Sequence, residues 1–115
     1  MVVVERSPAA AADARHNLAG RSARVVARPV ARWRPTRAAV VVADPARAGL
    51  TATGVQRVAA TGAARVVLVS CDAASLGRDA AGLVGAGFGH VESVTVDMFG
   101  HSGHVEVVSR FDRSG

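Results

Sequence analysis

The sequence predicts an α/β fold in which a parallel sheet ends in an antiparallel hairpin. Short valine-rich runs alternate with longer stretches that carry helix-capping signals. The apolar run Val66–Val69 is typical of a strand that is covered on both faces. Finally, the last two strand candidates are separated only by a short loop, which indicates antiparallel pairing.

Length and composition predict one globular domain. The chain has 115 residues, of which 50% are hydrophobic. All 14 basic residues are arginine, and the net charge of +5 is compatible with a polyanionic partner. The single cysteine excludes an internal disulfide and a cysteine-only metal site, which suits a reducing cytosol. No run approaches the roughly 20 apolar residues that span a bilayer, and no signal peptide is evident. We therefore expect a soluble, cytoplasmic protein.

The amino-terminal part predicts a strand, a helix and a short strand: Met1–Val4, Ser7–Leu18 and Ala23–Ala27. Ser7 is the expected helix cap, with Pro8 at the first helical position and Gly20 as the stop. Glu5 follows the first strand, at the place where nucleotide-binding sheets bind ribose hydroxyls. The alternative for Glu5 is an ordinary surface glutamate.

A connector rich in arginine and proline follows, Arg28–Arg37. Such a segment usually crosses the surface, and Trp33 is expected to cover the edge of the sheet. Contact with RNA is the alternative, because arginine engages phosphates and an aromatic ring stacks on bases.

The remaining elements alternate strands and helices before the final pair of strands: Ala38–Ala43, Thr51 or Thr53 to Ala60, Val66–Val69, Asp72–Val84, Phe88–Asp97 and Val105–Phe111. A turn is predicted over Gly100–Gly103. Asp44 and Cys71 each follow a parallel strand, so both are expected at the carboxyl edge of the sheet, where ligands bind.

The position of Cys71 in the sequence allows two interpretations. Asp72 is positioned to cap the next helix, and the positive amino end of that helix would favour a thiolate at Cys71. The alternative is a small buried core residue, because free cysteine is among the most buried residue types.

Three motifs resemble the carboxyl-terminal part of the RNA uracil-5-methyltransferase family. They are Asp44-Pro45-Ala46-Arg47-Ala48-Gly49, then Val69-Ser70-Cys71-Asp72-Ala73-Ala74-Ser75-Leu76-Gly77-Arg78-Asp79, and then Asp97-Met98-Phe99-Gly100-His101-Ser102-Gly103-His104-Val105-Glu106. The segment from Val4 to Asn17 resembles the second cofactor motif of the same fold. The resemblance covers nearly the whole chain.

The resemblance implies a function and a role for each matching residue. The family transfers a methyl group from S-adenosylmethionine to carbon 5 of a uridine in tRNA or ribosomal RNA. Cys71 would be the nucleophile and Glu106 the general base. Asp44 would lie between cofactor and target base, and Glu5 would bind the cofactor ribose. His104, two residues before Glu106 on a predicted strand, is expected on the same face and would support Glu106, or serve only in packing or at the surface.

The resemblance also implies a class I methyltransferase (Rossmann-like) sheet with an antiparallel carboxyl-terminal hairpin. The family's first strand and Gly-rich loop should precede Val2, and they are missing from this sequence. Three loop prolines of the family are replaced by Ala46, Ala73 and Gly100, which loosens those loops.

Residues 1–115 are therefore expected to form a partial catalytic domain, a truncated fragment without measurable affinity for S-adenosylmethionine. The strand Val2–Val4 would pair with Val40–Val42, or both would remain exposed edges. An upstream polypeptide could supply the missing strand. RNA is the expected partner, with no membrane and no DNA. Two alternatives stay open: a non-catalytic arginine-rich remnant that binds RNA or a partner subunit, and a product without a stable fold.

Overall fold

The computed structural model describes residues 1–97 and 105–114, and the chain divides into two compact units, Met1–Arg34 and Pro35–Gly115. The first unit contains β1 (Val2–Val4), α1 (Pro8–Asn17), β2 (Arg24–Val26) and a 3-10 turn (Val30–Arg32). β1 and β2 pair in parallel. The predicted cap is confirmed, because Ser7 Oγ accepts a hydrogen bond from the Ala10 N–H at 3.3 Å.

The second unit contains six elements: β3 (Val40–Ala43), α2 (Thr51–Ala60), β4 (Arg65–Ser70), α3 (Ala73–Gly85), β5 (Phe88–Asp97) and β6 (Val105–Arg113). Its four strands form one sheet in the order β3-β4-β6-β5. β3 and β4 are parallel, and β6 is antiparallel to both β4 and β5. The predicted final pair of strands is confirmed, and it inserts β6 between β4 and the outer strand β5.

The predicted order of helices and strands is confirmed, but the strands form two sheets rather than one continuous sheet. β1 pairs with β2, whereas β3 belongs to the four-stranded sheet. The direct pairing of β1 with β3, one of two expected outcomes, is therefore not found. The predicted turn over residues 100–103 and the positions of Met98, Phe99 and His104 lie outside the described residues.

The core of the second unit lies between the two helices and one face of the four-stranded sheet, which we call the covered face. Side chains on one face of a strand recur every second residue. Val66 and Leu68 of β4 and Phe111 of β6 thus share the covered face, and all three are fully buried. They pack with side chains from α2, α3 and the start of β5: Val55, Val58, Leu83 and Phe88. This packing fixes the position of the helix that follows Cys71.

The opposite face of the same sheet, which we call the bare face, carries exposed valines and charged residues. Val40 and Val42 of β3 and Val94 and Val96 of β5 are exposed. Asp112 bonds to two arginines on this face, with Arg65 Nε at 3.0 Å and Arg110 at 2.8 Å.

The edge strand β5 has an irregularity that β3 lacks. The register of β5 against β6 shifts between His90 and Glu92.

Across the described residues, no helix is long and apolar enough to cross a membrane.

Candidate active site

Three of the predicted site residues lie at one edge of the four-stranded sheet. Asp44 directly follows β3, and Cys71 directly follows the parallel strand β4. Glu106 is the second residue of β6, which runs antiparallel to β4 and therefore begins at this edge. Ser70 pairs with Val107, so continuing the same register by one residue sets Cys71 opposite Glu106. The fold thus brings the predicted nucleophile and the predicted base to neighbouring positions on adjacent strands.

Cys71 is a free, exposed cysteine, so the buried-core alternative is wrong. It precedes α3, whose cap is Asp72: the Oδ2 atom accepts from the Ser75 N–H at 2.9 Å, and at 3.0 Å it shares the Ser75 hydroxyl proton with the carbonyl oxygen of Arg47. These hydrogen bonds, the backbone one first, lower the pKa of Asp72, with a further contribution from the positive charges of Arg47 and Arg78. Asp72 is therefore ionised at neutral pH beside the exposed thiol.

A cleft of about 250 Å³ opens at Cys71. The residues that line this Cys71 cleft come from the end of β4, the start of α3 and the start of β6: Ser70, Cys71, Asp72, Ala73, Leu76, Val105 and Val107. Glu106 lies between two of the lining residues on β6, but it is not itself a lining residue, and neither is Asp44. Alternation along β6 directs the Glu106 side chain to the face opposite that of Val105 and Val107.

Two side chains of α3, not predicted as site residues from the sequence, form hydrogen bonds to the loop after β3. Asp79 is buried, and its carboxylate accepts hydrogen bonds from the N–H groups of Leu50 at 2.7 Å and Thr51 at 3.2 Å. Ser75 Oγ donates to the carbonyl oxygen of Arg47 at 2.5 Å. These three bonds hold residues 47–51 against the helix that begins beside Cys71, and thereby fix the loop that begins at Asp44.

A signal for these contacts is present in the sequence. Ser75, Asp79 and Leu83 are spaced four residues apart on α3, and all three are buried. Two polar residues on the buried face of an amphipathic helix require hydrogen-bond partners. That pattern identifies the residues, although it does not identify the loop that they hold.

Glu5 lies in the first unit, directly after β1. Its Oε1 atom accepts a hydrogen bond from the Ser7 N–H at 3.0 Å. One carboxylate oxygen thus stabilises the turn that leads into α1. Glu5 therefore lies at the carboxyl end of a parallel strand, as the sequence predicted.

Comparison with known proteins shows which proteins the chain resembles. The chain is 41% identical over 85 residues to the 23S rRNA (uracil(1939)-C(5))-methyltransferase RlmD of Vibrio cholerae, an alignment that covers 74% of this chain and 19% of that protein. It is 43% identical over 74 residues to an uncharacterized RNA methyltransferase of Bifidobacterium longum, covering 64% of this chain and 17% of that protein. The chain belongs to the RNA uracil-5-methyltransferase family. No protein-family profile matches it.

Solved structures agree with this family and with the predicted methyltransferase fold. The tRNA (uracil-54, C5)-methyltransferase of Pyrococcus abyssi, solved with S-adenosyl-L-homocysteine, superposes with a TM-score of 0.82 at 28% identity, over 96% of this chain and 28% of that one. The N-methyltransferase NodS of Bradyrhizobium japonicum shares the fold alone, with a TM-score of 0.80 at 16% identity, over 99% of this chain and 66% of that one.

The resemblance inferred from the motifs and the class I methyltransferase fold are therefore confirmed. The chain spans less than a fifth of the length of the curated relatives described above, at 17% and 19%. The roles of Cys71, Glu106, Asp44 and Glu5 stay predictions.

Proposed function

We propose that this chain carries the nucleophile and the base with which an RNA uracil-5-methyltransferase methylates carbon 5 of a uridine in tRNA or ribosomal RNA. One observation carries the proposal. Extending the register of β4 against β6 by one residue sets the exposed Cys71, which lines a cleft at the start of α3, opposite the backbone position of Glu106. The names of the relatives, which act on uracil in 23S rRNA and in tRNA, supply the substrate class.

The reaction requires a thiol because carbon 5 of uracil is too weak a nucleophile to accept a methyl group directly. The Cys71 thiolate adds to carbon 6, and the electron pair of the carbon 5–carbon 6 double bond moves towards carbon 5. After methylation, a carboxylate removes the proton from carbon 5, the double bond re-forms, and the carbon–sulfur bond to Cys71 breaks. We assign the removal of that proton to Glu106.

S-adenosylmethionine would supply the methyl group. The residues present suit it: Glu5 and Asp44 are carboxylates at the ends of strands, and carboxylates accept hydrogen bonds from ribose hydroxyls and attract cationic groups. Glu5 uses its Oε1 for the Ser7 N–H, which orients the carboxylate. We assign the ribose contact to Glu5 and a position between cofactor and target base to Asp44.

Covalent trapping tests the role of Cys71. RNA transcribed with 5-fluorouridine, as tRNA and as 23S rRNA fragments, should form a denaturant-resistant adduct, because the fluorine at carbon 5 cannot leave as a proton does. Cys71→Ala should abolish adduct and methyl transfer while the circular dichroism spectrum and melting temperature remain those of the wild type. Normal turnover by Cys71→Ala would contradict the proposal.

The role of Glu106 is tested on the same RNA without fluorine. Glu106→Gln should permit addition and methylation but slow the loss of the carbon-5 proton, so a methylated protein–RNA adduct should accumulate. Absence of any adduct in a folded Glu106→Gln protein would instead make Glu106 a residue that positions the base.

Cofactor affinity is the third test. The 115-residue chain alone is expected to show no heat of binding with S-adenosylmethionine in isothermal titration. Both trapping assays are therefore run on the chain alone and on the chain joined to the preceding region of the Vibrio cholerae relative. Stoichiometric binding by the chain alone would contradict the expectation of a truncated, inactive fragment. An upstream polypeptide as the source of a further strand stays a prediction.

A further inference from the structure

Ser70 is a buried polar residue without a partner in the wall of the Cys71 cleft. It is the last residue of β4 and directly precedes Cys71. Only 6% of its surface is exposed, and its Oγ has no hydrogen-bond partner among the residues that the structure describes. The same residue lines the cleft. A buried hydroxyl without a partner opposes folding, so its presence beside the proposed nucleophile indicates a partner that arrives with a ligand.

A second serine on the covered face shows how the fold treats a hydroxyl that has only a structural role. Ser109 of β6 is 1% exposed and pairs with Leu68, two residues before Ser70 on β4. Its Oγ lies 2.8 Å from Ser93 Oγ, which in turn lies 2.7 Å from His90 Nε2. Ser109 thus has a hydrogen-bond partner, whereas Ser70 Oγ has none among residues 1–97 and 105–114.

The other walls of the cleft suit a flat ring. Leu76, Val105 and Val107 supply apolar surface. The volume of about 250 Å³ is below the roughly 300–1,000 Å³ of pockets that hold drug-sized ligands, so it fits a single ring better than a large molecule. A hydroxyl in an apolar wall forms a stronger hydrogen bond than it would in water, and it can donate to a carbonyl oxygen.

We propose that Ser70 Oγ donates a hydrogen bond to a ring carbonyl oxygen of the uracil that Cys71 attacks. This inference rests on the proposed function. Addition of the thiolate at carbon 6 moves electron density onto carbon 5 and the oxygen of carbon 4, and a donor held at that oxygen stabilises the change. The Oγ atom exposes less than 1 Å² in the free protein, so it meets the ring by rotating about the χ1 bond towards the cleft.

A binding measurement that needs no catalysis tests the contact. The probe is 5-fluorouridine 5′-monophosphate, followed by its fluorine NMR signal as Cys71→Ala protein is added. Adding Ser70→Ala to Cys71→Ala should weaken binding about 3- to 10-fold, the effect of one hydrogen bond. Adding Ser109→Ala instead should leave the affinity unchanged. Equal affinity with and without the Ser70 hydroxyl would overturn the inference, and so would absence of binding to the Cys71→Ala protein.

Adduct formation and thermal stability give the second readout. Ser70→Ala should slow adduct formation on 5-fluorouridine RNA roughly 10- to 100-fold, because the bond strengthens as charge develops. Its melting temperature should equal or exceed that of the wild type, because a buried hydroxyl without a partner has been removed. A lower melting temperature with an unchanged adduct rate would make Ser70 merely structural. Nucleotide binding that depends on Ser70, without any adduct in the wild type, would contradict the proposed chemistry alone.

Discussion

Both faces of the four-stranded sheet carry valines, but these valines differ in how much of their surface is exposed. On the covered face Val66 is fully buried, whereas on the bare face Val42 is 69% exposed and Val94 is 56% exposed. The exposed valines lie on the edge strands β3 and β5, whereas Val66 lies on the inner strand β4, whose valines on the bare face, Val67 and Val69, are half-buried. A helix layer makes the difference, because α2 and α3 supply Val55, Val58 and Leu83 to one face.

This contrast separates the residues that hold the site in place from those that do not. The covered face carries the packing that positions α3 and the loop before α2, and hence the Cys71 cleft. The bare face carries exposed side chains and the ion pairs of Asp112. In α/β proteins both faces of a parallel sheet are usually covered by helices. Substitutions should therefore affect stability and site geometry on one face far more than on the other.

The largest expected difference is between two truncations to alanine. Phe111→Ala removes a fully buried ring from the covered face and should lower the free energy of unfolding by about 3–5 kcal/mol. Val42→Ala on the bare face should change it by no more than about 0.5 kcal/mol. Urea denaturation followed by circular dichroism measures both. A cost for Val42→Ala above about 2 kcal/mol would show that the bare face is packed in solution.

Asp79→Ala should give the next largest effect. It removes two partly buried hydrogen bonds, from the N–H groups of Leu50 and Thr51 to a carboxylate, and bonds to charged groups contribute about 1.5–3 kcal/mol each when buried. We expect a loss of roughly 2–4 kcal/mol in the same urea assay. Hydrogen exchange at these two amides should also accelerate. Unchanged exchange at both amides would mean that Asp79 does not hold the loop.

Gly49→Ala probes the same contact from the loop. Gly49 has a φ of +81°, and a Cβ there would lie 2.5 Å from Asp79 Oδ2. Gly20 has the same φ of +81° with nothing within 4 Å of a Cβ, so Gly20→Ala measures the backbone strain alone. The free energy of unfolding should fall by at least about 1 kcal/mol more for Gly49→Ala than for Gly20→Ala, the extra cost of overpacking. Equal losses would show that the loop moves freely away from α3.

The smallest expected effect is a pH dependence on the bare face. Hydrogen bonds from Arg110 and then Arg65 lower the pKa of Asp112 well below its usual range. A carboxylate with a lowered pKa in the folded state stabilises the protein above its unfolded pKa of about 3.9, and this contribution is lost as the pH falls through the folded value. Asp112→Asn should therefore flatten the decline of melting temperature below pH 4, and salt should weaken the difference because these groups are partly exposed. Identical acid profiles for the two proteins would show that the ion pairs contribute nothing.

The features predicted correctly from the sequence are those that depend on interactions between residues close together on the chain. The Asp72 cap joins residues three apart on the chain, and the Ser7 cap does the same, so local rules identify both. The valine-rich runs predict the strands correctly, but burial on both faces, expected for Val66–Val69, is not found: Val66 and Leu68 are buried, whereas Val67 and Val69 are half-buried. The fold class followed from the order of these elements.

The contacts that shape the site join residues far apart on the chain, and no local pattern specifies them. Asp79 bonds to Leu50 across 29 residues, and Ser75 bonds to Arg47 across 28. Cys71 and Glu106 become neighbours only through the register of β4 against β6. That Ser70 Oγ has no partner among the described residues is likewise evident only from the three-dimensional structure.

The irregularity in β5 makes the two edge strands of the four-stranded sheet different from each other. At one border, β3 offers Val40–Ala43 as a regular strand without a charged side chain, hydrogen-bonded among the described strands only to β4. At the other border, the shift between His90 and Glu92 breaks the regular spacing of backbone donors and acceptors, and Glu92 adds charge. The backbone donors and acceptors of β3 are therefore more regularly spaced than those of β5, and regular spacing is what backbone pairing with a further strand requires.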